Sequence, residues 1–214
     1  MGSTGDIAAG CRCHCRRHRP HHGAAGTEAH AVNRLVLLDR DGVLNQDRDD
    51  YVKSPDELVM IEGAAEAVAR LNQAGHIVAL VTNQSAVGRG IIDAVMLERI
   101  HQRLRDNLAR VGARLDDIFV CPEAPWQASE RRKPGPGMLR EALARFRAEA
   151  ALTPLIGDTL GDLQAAAAAG CQRLLVRTGK GAATQAAGLP QELLPISVHE
   201  SLAPAVAAVL GEEH

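Results

Sequence analysis

From residue 34 onward, short apolar runs alternate with longer stretches whose apolar positions recur at a helical period. The runs 34–38, 77–81, 117–120, 153–156 and 172–176 are rich in Val, Leu or Ile and predict strands. Stretches near 63–74, 93–110, 136–148 and 160–169 predict helices; in the second, Val95, Leu97, Ile100, Leu104, Leu108 and Val111 follow one another by a turn. Several boundaries carry chemical markers. Gly75 ends the first helix, Asp93 can cap the second, Pro134 and Pro136 sit where the third begins, and Gly170 closes the fourth. Such alternation predicts an α/β fold in three Rossmann-like layers, a parallel sheet with helices on both faces. The loops 42–62 and 121–133 exceed a simple crossover but are too short for a second domain. Residues 179–192 read as a Gly/Ala loop and 201–210 as a final surface helix.

The polar positions gather where the strands end. Leu35–Leu38 stops in Asp39 and Asp41, one residue apart and followed by Gly42. Carboxylates at the end of an apolar strand are costly unless paired, and a hard cation such as Mg²⁺ is a natural partner. Turn chemistry alone also places Asp at such junctions. The other strand ends decide between these readings. Thr82-Asn83-Gln84-Ser85 follows the second strand, Arg132-Lys133-Pro134 precedes the third crossover helix, and Gly157-Asp158-Thr159-Leu160-Gly161-Asp162 follows the fourth strand. In an open parallel sheet these ends face one crevice.

The set suits phosphoryl transfer through an aspartyl phosphate, since a cation screens a carboxylate nucleophile from an anionic substrate. Asp39, the first polar residue off its strand, is the candidate nucleophile, and Asp41 the acid that protonates the leaving oxygen and later activates water. Asp158 completes a Mg²⁺ shell with Asp39 and Asp41, while Thr82 and Lys133 stabilise the transferring group. Asp162 either joins that shell or caps the loop of Asp158, and Lys180 reads as a surface lysine in preference to one that reaches a phosphate.

Composition changes the picture in three places. Aromatics are confined to Tyr51, Phe119, Trp126 and Phe146, so the core is aliphatic. A net charge of −2 argues against nucleic acid as a partner, and no apolar run is long enough to span a membrane. Residues 1–33 stand apart, with Arg12, Arg16, Arg17 and Arg19 against Asp6 and Glu28, and with Cys11, Cys13 and Cys15 among five histidines. They lack an apolar signal core and read as a disordered extension before a single domain at 34–212. Cys121 and Cys171 then read as reduced thiols of a cytoplasmic monomer.

Asp39-Arg40-Asp41-Gly42-Val43, Thr82-Asn83-Gln84, Lys133 and Gly157-Asp158-Thr159-x-x-Asp162 resemble the four motifs of the haloacid dehalogenase superfamily. More narrowly, residues 34–180 resemble the D-glycero-D-manno-heptose-1,7-bisphosphate 7-phosphatases. The further matching strings are Leu44-Asn45, Tyr51-Val52-Lys53-Ser54-Pro55, Ser85 with Arg89-Gly90, Arg132-Lys133-Pro134-x-Pro136-Gly137-Met138 and Arg177-Thr178-Gly179. The resemblance implies a capless fold and Mg²⁺-dependent hydrolysis of the C7 phosphate of a heptose bisphosphate, in the synthesis of lipopolysaccharide core precursors. It implies Asp39 as nucleophile, Asp41 as acid and base, Asp39, Asp41 and Asp158 as Mg²⁺ ligands, and Thr82 and Lys133 as phosphoryl stabilisers. It also implies a small phosphorylated sugar held by Asp47, Arg48, Asp49, Asp50, Asn83, Gln84 and Ser85, with Arg132 on the distal C1 phosphate.

One departure from the family stands out. Its members commonly carry a structural zinc in the loop before Arg-Lys-Pro, with Cys-x-His at the start and Cys-x-Cys at the end. Here Cys121 alone remains, with Glu123 in the histidine place and Ser129 and Arg131 where thiolates belong. Zinc is therefore not expected. Three other readings are weighed. The histidinol-phosphate phosphatases share the first motif and the Arg-Lys-Pro step, but usually follow Thr-Asn-Gln with Asp-Gly. A catalytically weakened binding protein of the same fold also stays open. A receiver domain would carry its phosphorylated Asp after the third strand, where this chain has Cys121.

Overall fold

Strand β1 (Leu35–Leu38) is buried on both faces, as an all-apolar run in a parallel sheet should be. A computed structural model describes residues 34–212, so the expectations for the Cys- and His-rich residues 1–33 lie outside the described residues. After β1 come helix α1 (Ala64–Gln73), β2 (Ile77–Asn83), the single turn α2 (Ser85–Gly88), α3 (Ala94–Ala109) and β3 (Asp117–Cys121). Then follow α4 (Gly137–Phe146), β4 (Pro154–Gly157), α5 (Leu160–Ala169), β5 (Gln172–Val176), α6 (Gly181–Ala186), β6 (Ser197–His199) and α7 (Leu202–Leu210).

The six strands among the described residues are all parallel, in the order β3-β2-β1-β4-β5-β6. Alternate residues of β1 feed opposite faces of the sheet. Val36 and Leu38 join a core with Val68 and Leu71 of α1, Ile100 and Leu104 of α3, and Val206 of α7. Leu35 and Leu37 join a second core with Met138 and Leu139 of α4 and Ala165 and Ala166 of α5. The sheet is thus covered on both sides, as the alternating pattern predicts.

The expected boundary markers act as written. Asp93 Oδ1 accepts from Met96 N at 2.7 Å and caps α3, and Gly170 closes α5 in the left-handed region. The structure adds to or departs from the pattern at three places. Residues 179–192 are not all loop, because the Ala-rich stretch forms α6 and a 3₁₀ turn follows at Gln191–Leu193. Strand β6 escapes the sequence because three residues are too few to show a period. Val95 begins α3 on its solvent side, 69% exposed, while His101 takes a place in the buried stripe.

The register positions the site. Leu37 and Leu38 pair with Leu155 and Ile156 on one side and with Ala79 and Leu80 on the other. The chain steps outward from β1 through β2 to β3, then returns to place β4 on the other side of β1. Asp39 and Asp158 therefore leave adjacent strands at the point where the winding reverses, where such sheets bind ligands.

Candidate active site

Asp39 follows β1 directly, and its backbone NH continues the sheet by donating to Ile156 O at 3.0 Å. Its carboxylate accepts from Arg40 N at 2.7 Å and meets Lys133 Nζ at 2.9 Å. Lys133 also reaches Asp162 at 2.6 Å and donates to Val81 O at 2.8 Å. Burial works against the charge on Lys133, but Asp162 and Asp39 outweigh it and hold the ammonium well above the ordinary lysine value. Burial pushes Asp39 up to about 6, against the pull of Lys133 and with a further push from Asp162 and Asp41. Asp158 is driven up to about 8 by burial, then by Asp39 and Asp162.

Asp39, Asp158 and Asp162 can each bring a carboxylate oxygen within 4.8 Å of the others, all three residues buried. This trio differs from the expected Asp39, Asp41 and Asp158. The Asp41 carboxylate is spent elsewhere, accepting from Arg40 Nη2 at 3.0 Å, Asn45 Nδ2 at 2.9 Å and Gln84 Nε2 at 2.9 Å. Burial alone would raise Asp41, but Arg40 and these hydrogen bonds prevail and its pKa is lowered. The two neighbours in sequence are thereby split, Asp39 toward the neutral form and Asp41 toward the charged one.

The trio suits a hard divalent cation. Asp158 Oδ1 is buried and accepts no hydrogen bond, while Oδ2 accepts from Lys180 N at 2.8 Å. Gly42 and Gly179 press on that carboxylate so closely that a Cβ on either would overlap it. Nor is Asp158 a helix cap. Thr159 caps α5 in a capping box with Asp162, leaving Asp158 for the crevice. Asp162 braces the loop, its Oδ2 accepting from Thr159 N at 3.0 Å, and stands among the carboxylates with its Oδ1 on Lys133.

A cavity of about 340 Å³ opens over these groups. Besides Asp39, Asp41, Lys133, Asp158 and Asp162, its lining includes Asp47, Arg48, Asp49, Asn83, Gln84, Ser85 and Arg132. Two expected residues are off the lining. Thr82 is buried, its Oγ1 accepting from Gln84 Nε2 at 2.8 Å. Asp50 is exposed and pairs outward with Arg48 and Lys53. Asn83 lines the cavity but spends its amide on Lys133, donating to Lys133 O at 3.0 Å and accepting from Lys133 N at 3.1 Å. It holds the lysine in place rather than offering itself to a ligand.

Sequence reasoning missed three participants. Arg40, only 1% exposed, places its guanidinium on both oxygens of Asp41, with Nη1 3.4 Å from His101 Nε2. A charged residue between two acids at a buried strand end was the available signal, but His101 is 61 residues away and nothing local points to it. Lys180, read as a surface lysine, lines the cavity and pairs with Asp47 at 2.7 Å.

Comparisons with known proteins give the chain its relatives. A family model described as HAD-hydrolase-like matches residues 130–205. The chain is 48% identical over 159 residues to a D-glycero-β-D-manno-heptose-1,7-bisphosphate 7-phosphatase of Bordetella bronchiseptica, covering 74% of this chain and 89% of that one. It is 44% identical over 176 residues to the Pseudomonas aeruginosa enzyme of the same name, covering 82% and 97%. Among solved structures, the B. bronchiseptica D,D-heptose 1,7-bisphosphate phosphatase complexed with magnesium and phosphate aligns with a TM-score of 0.80 at 46% identity, covering 84% of this chain and 99% of that one.

Proposed function

The chain belongs to the D-glycero-β-D-manno-heptose-1,7-bisphosphate 7-phosphatase family of haloacid dehalogenase-like hydrolases, and on that premise we propose that it removes the C7 phosphate of this bisphosphate and releases the 1-phosphate. The observation that carries the reading is the Asp39–Lys133–Asp162 ion network beside Asp158 at the reversal of the sheet. Mg²⁺ is the cofactor; Asp39 and Asp158, with Asp162 beside them, would hold it, and bound there it would screen the carboxylates and polarise the phosphoryl group.

Asp39 attacks phosphorus through a carboxylate oxygen, the bond to the C7 oxygen breaks, and an aspartyl phosphate forms. Lys133 supplies positive charge where the transferring group gathers negative charge. Asp41 gives the departing C7 oxygen its proton, then takes one from the water that cleaves the acyl phosphate. The pairing with Arg40 favours ionised Asp41, the form the second step needs. Donation in the first step calls for that pairing to loosen as an anionic substrate enters. Asp47, Arg48 and Asp49, which line the cavity, would flank the sugar, and Arg132 on the same lining would take the distal phosphate.

Among the described residues no helix is long and apolar enough to cross a membrane. The buried free thiols Cys121 and Cys171 suit a reducing compartment, and we place the reaction in the cytoplasm with the protein acting as a monomer. The test is phosphate release with Mg²⁺ from heptose 1,7-bisphosphate, fructose 1,6-bisphosphate and histidinol phosphate. The heptose compound is expected to lead in kcat/KM, and Asp39→Asn to lower turnover by about 1,000-fold or more. Turnover untouched by that substitution would sink the covalent route, and a large preference for histidinol phosphate would overturn the substrate.

A further inference from the structure

The segment between β3 and α4 carries both Arg132 and Lys133 into the cavity. Four of its residues stand where the family resemblance implies zinc ligands: Cys121, Glu123, Ser129 and Arg131. They do not fit that ion. A structural zinc takes four nitrogen or sulfur donors, and a guanidinium has no lone pair to give. They bond to one another and to the framework instead.

Glu123 accepts twice from Ser129, at 2.7 Å from the backbone N and at 2.7 Å from Oγ. Ser129 Oγ has spent its hydrogen there, and in turn accepts from Arg131 N at 3.2 Å. Ser129 O accepts from Arg132 N at 3.1 Å. The Arg131 guanidinium lies on both oxygens of Glu141 in α4, at 2.5 and 2.6 Å, and donates to Val120 O in β3 at 3.0 Å. Arg132 Nη1 donates to Glu123 O at 2.9 Å. The two hydrogen bonds from Ser129 keep the Glu123 carboxyl below its usual range, so it stays an acceptor at neutral pH. Arg132 is thus tied at both ends to backbone carbonyls, its N to Ser129 O and its guanidinium to Glu123 O, and the Glu123 carboxylate closes the loop between those two anchors onto Ser129.

We propose that the Glu123–Ser129 pair, with Arg131 anchored on Glu141, is a metal-free staple that aims Arg132 at the distal phosphate of the substrate. The aim rests on the reading of Arg132 given above; the staple does not. Exposed ion pairs contribute little to stability, so the staple acts mainly on geometry, through two-point hydrogen bonds that fix direction. Glu123 and Ser129 are positioning residues.

The test compares Glu123→Ala, Glu123→Gln, Ser129→Ala, the double Glu123→Ala/Ser129→Ala variant and Arg132→Ala. Substrates are the heptose bisphosphate and p-nitrophenyl phosphate, which has no distal phosphate. Glu123→Ala is expected to raise KM for the bisphosphate about tenfold with kcat within about twofold, leaving kcat/KM for p-nitrophenyl phosphate unchanged. The double variant should be no worse than the worse single one, because both remove one link. Glu123→Gln, which keeps one acceptor oxygen, should recover most of the KM. Independently of substrate, trypsin should cut after Arg131 or Arg132 several-fold faster in Glu123→Ala than in the unaltered protein.

Equal losses on both substrates, or unchanged cutting by trypsin, would overturn the staple. So would a tightly bound zinc in the purified protein whose chelation speeds that cutting. Arg132→Ala leaving KM for the bisphosphate unchanged would instead overturn the distal-phosphate reading, and trypsin would then decide the staple alone.

Discussion

Arg40 sits between two acidic residues, and its environment shows how a single buried cation organises this site. A guanidinium at 1% exposure must be paired, and it is, bidentate to Asp41 with His101 behind it. Burial first, then the charge of Arg40, pushes His101 down to about 4. The unfolded histidine titrates near 6.5, so the unfolded chain binds a proton that the folded chain refuses. Stability from this group is full above about pH 6.5 and is lost as pH falls toward 4, by about 3 kcal/mol in total. Urea unfolding at pH 7 and pH 4.5 checks this. The midpoint should fall more steeply in the unaltered protein than in His101→Gln, which stays neutral throughout. Equal slopes would refute the assignment. At this scale the sequence showed Asp39, Lys133 and Asp158 well, because strand ends place them. It did not show that the Asn83 amide is used up on Lys133 or that the Asp41 carboxylate is drawn to Arg40.

Between elements, the turn after β1 meets the loop from β5 to α6 closely. Gly42 holds φ +80° and Gly179 φ +57°, and both lie against the Asp158 carboxylate. Thr178 Oγ1 donates to Gly42 O at 2.7 Å and ties the two turns together. Gly42→Ala meets both a left-handed backbone and the carboxylate itself. It is expected to weaken Mg²⁺ binding at least tenfold, about 1.4 kcal/mol, with the far-UV spectrum unchanged. Titration calorimetry reads it, and unaltered affinity would show that the packing of Gly42 on Asp158 does not matter. The elements themselves were mostly legible, since hydrophobic period and capping residues are local properties. Strand β6 and helix α6 were not, as three and six residues barely exceed one period. Helix α7 reads as a surface helix by pattern, yet buries Leu202, Ala205 and Val206 in the core shared with α1.

The whole molecule gathers Asp39, Lys133, Asp158 and Asp162 at one reversal of winding, where Lys133 offsets only part of the repulsion among the three carboxylates. With Asp39 raised to about 6 and Asp158 to about 8, the ion-free site keeps a proton at neutral pH that a cation must displace. Binding Mg²⁺ at pH 7 should therefore release roughly one proton, and apparent affinity should fall as pH drops below about 8. Calorimetry in buffers of different ionisation enthalpy measures that release. A binding heat independent of buffer would contradict it. The same linkage predicts that Mg²⁺ raises the melting temperature more at pH 8 than at pH 6.

By itself the sequence determined the alternation of strands and helices, the parallel sheet, and the four motifs that share its carboxyl edge. Those follow from short-range periodicity and from the rule that polar residues ending apolar strands face one crevice. Only the tertiary structure decided the partners. Asp162 stands with Asp39 and Asp158 while Asp41 turns to Arg40, and Glu123 closes on Ser129 beneath Arg132. The physical reason is that a buried charge takes whichever counter-charge the packing brings within about 3 Å, and that distance is set by strand register and loop closure between residues far apart in the chain.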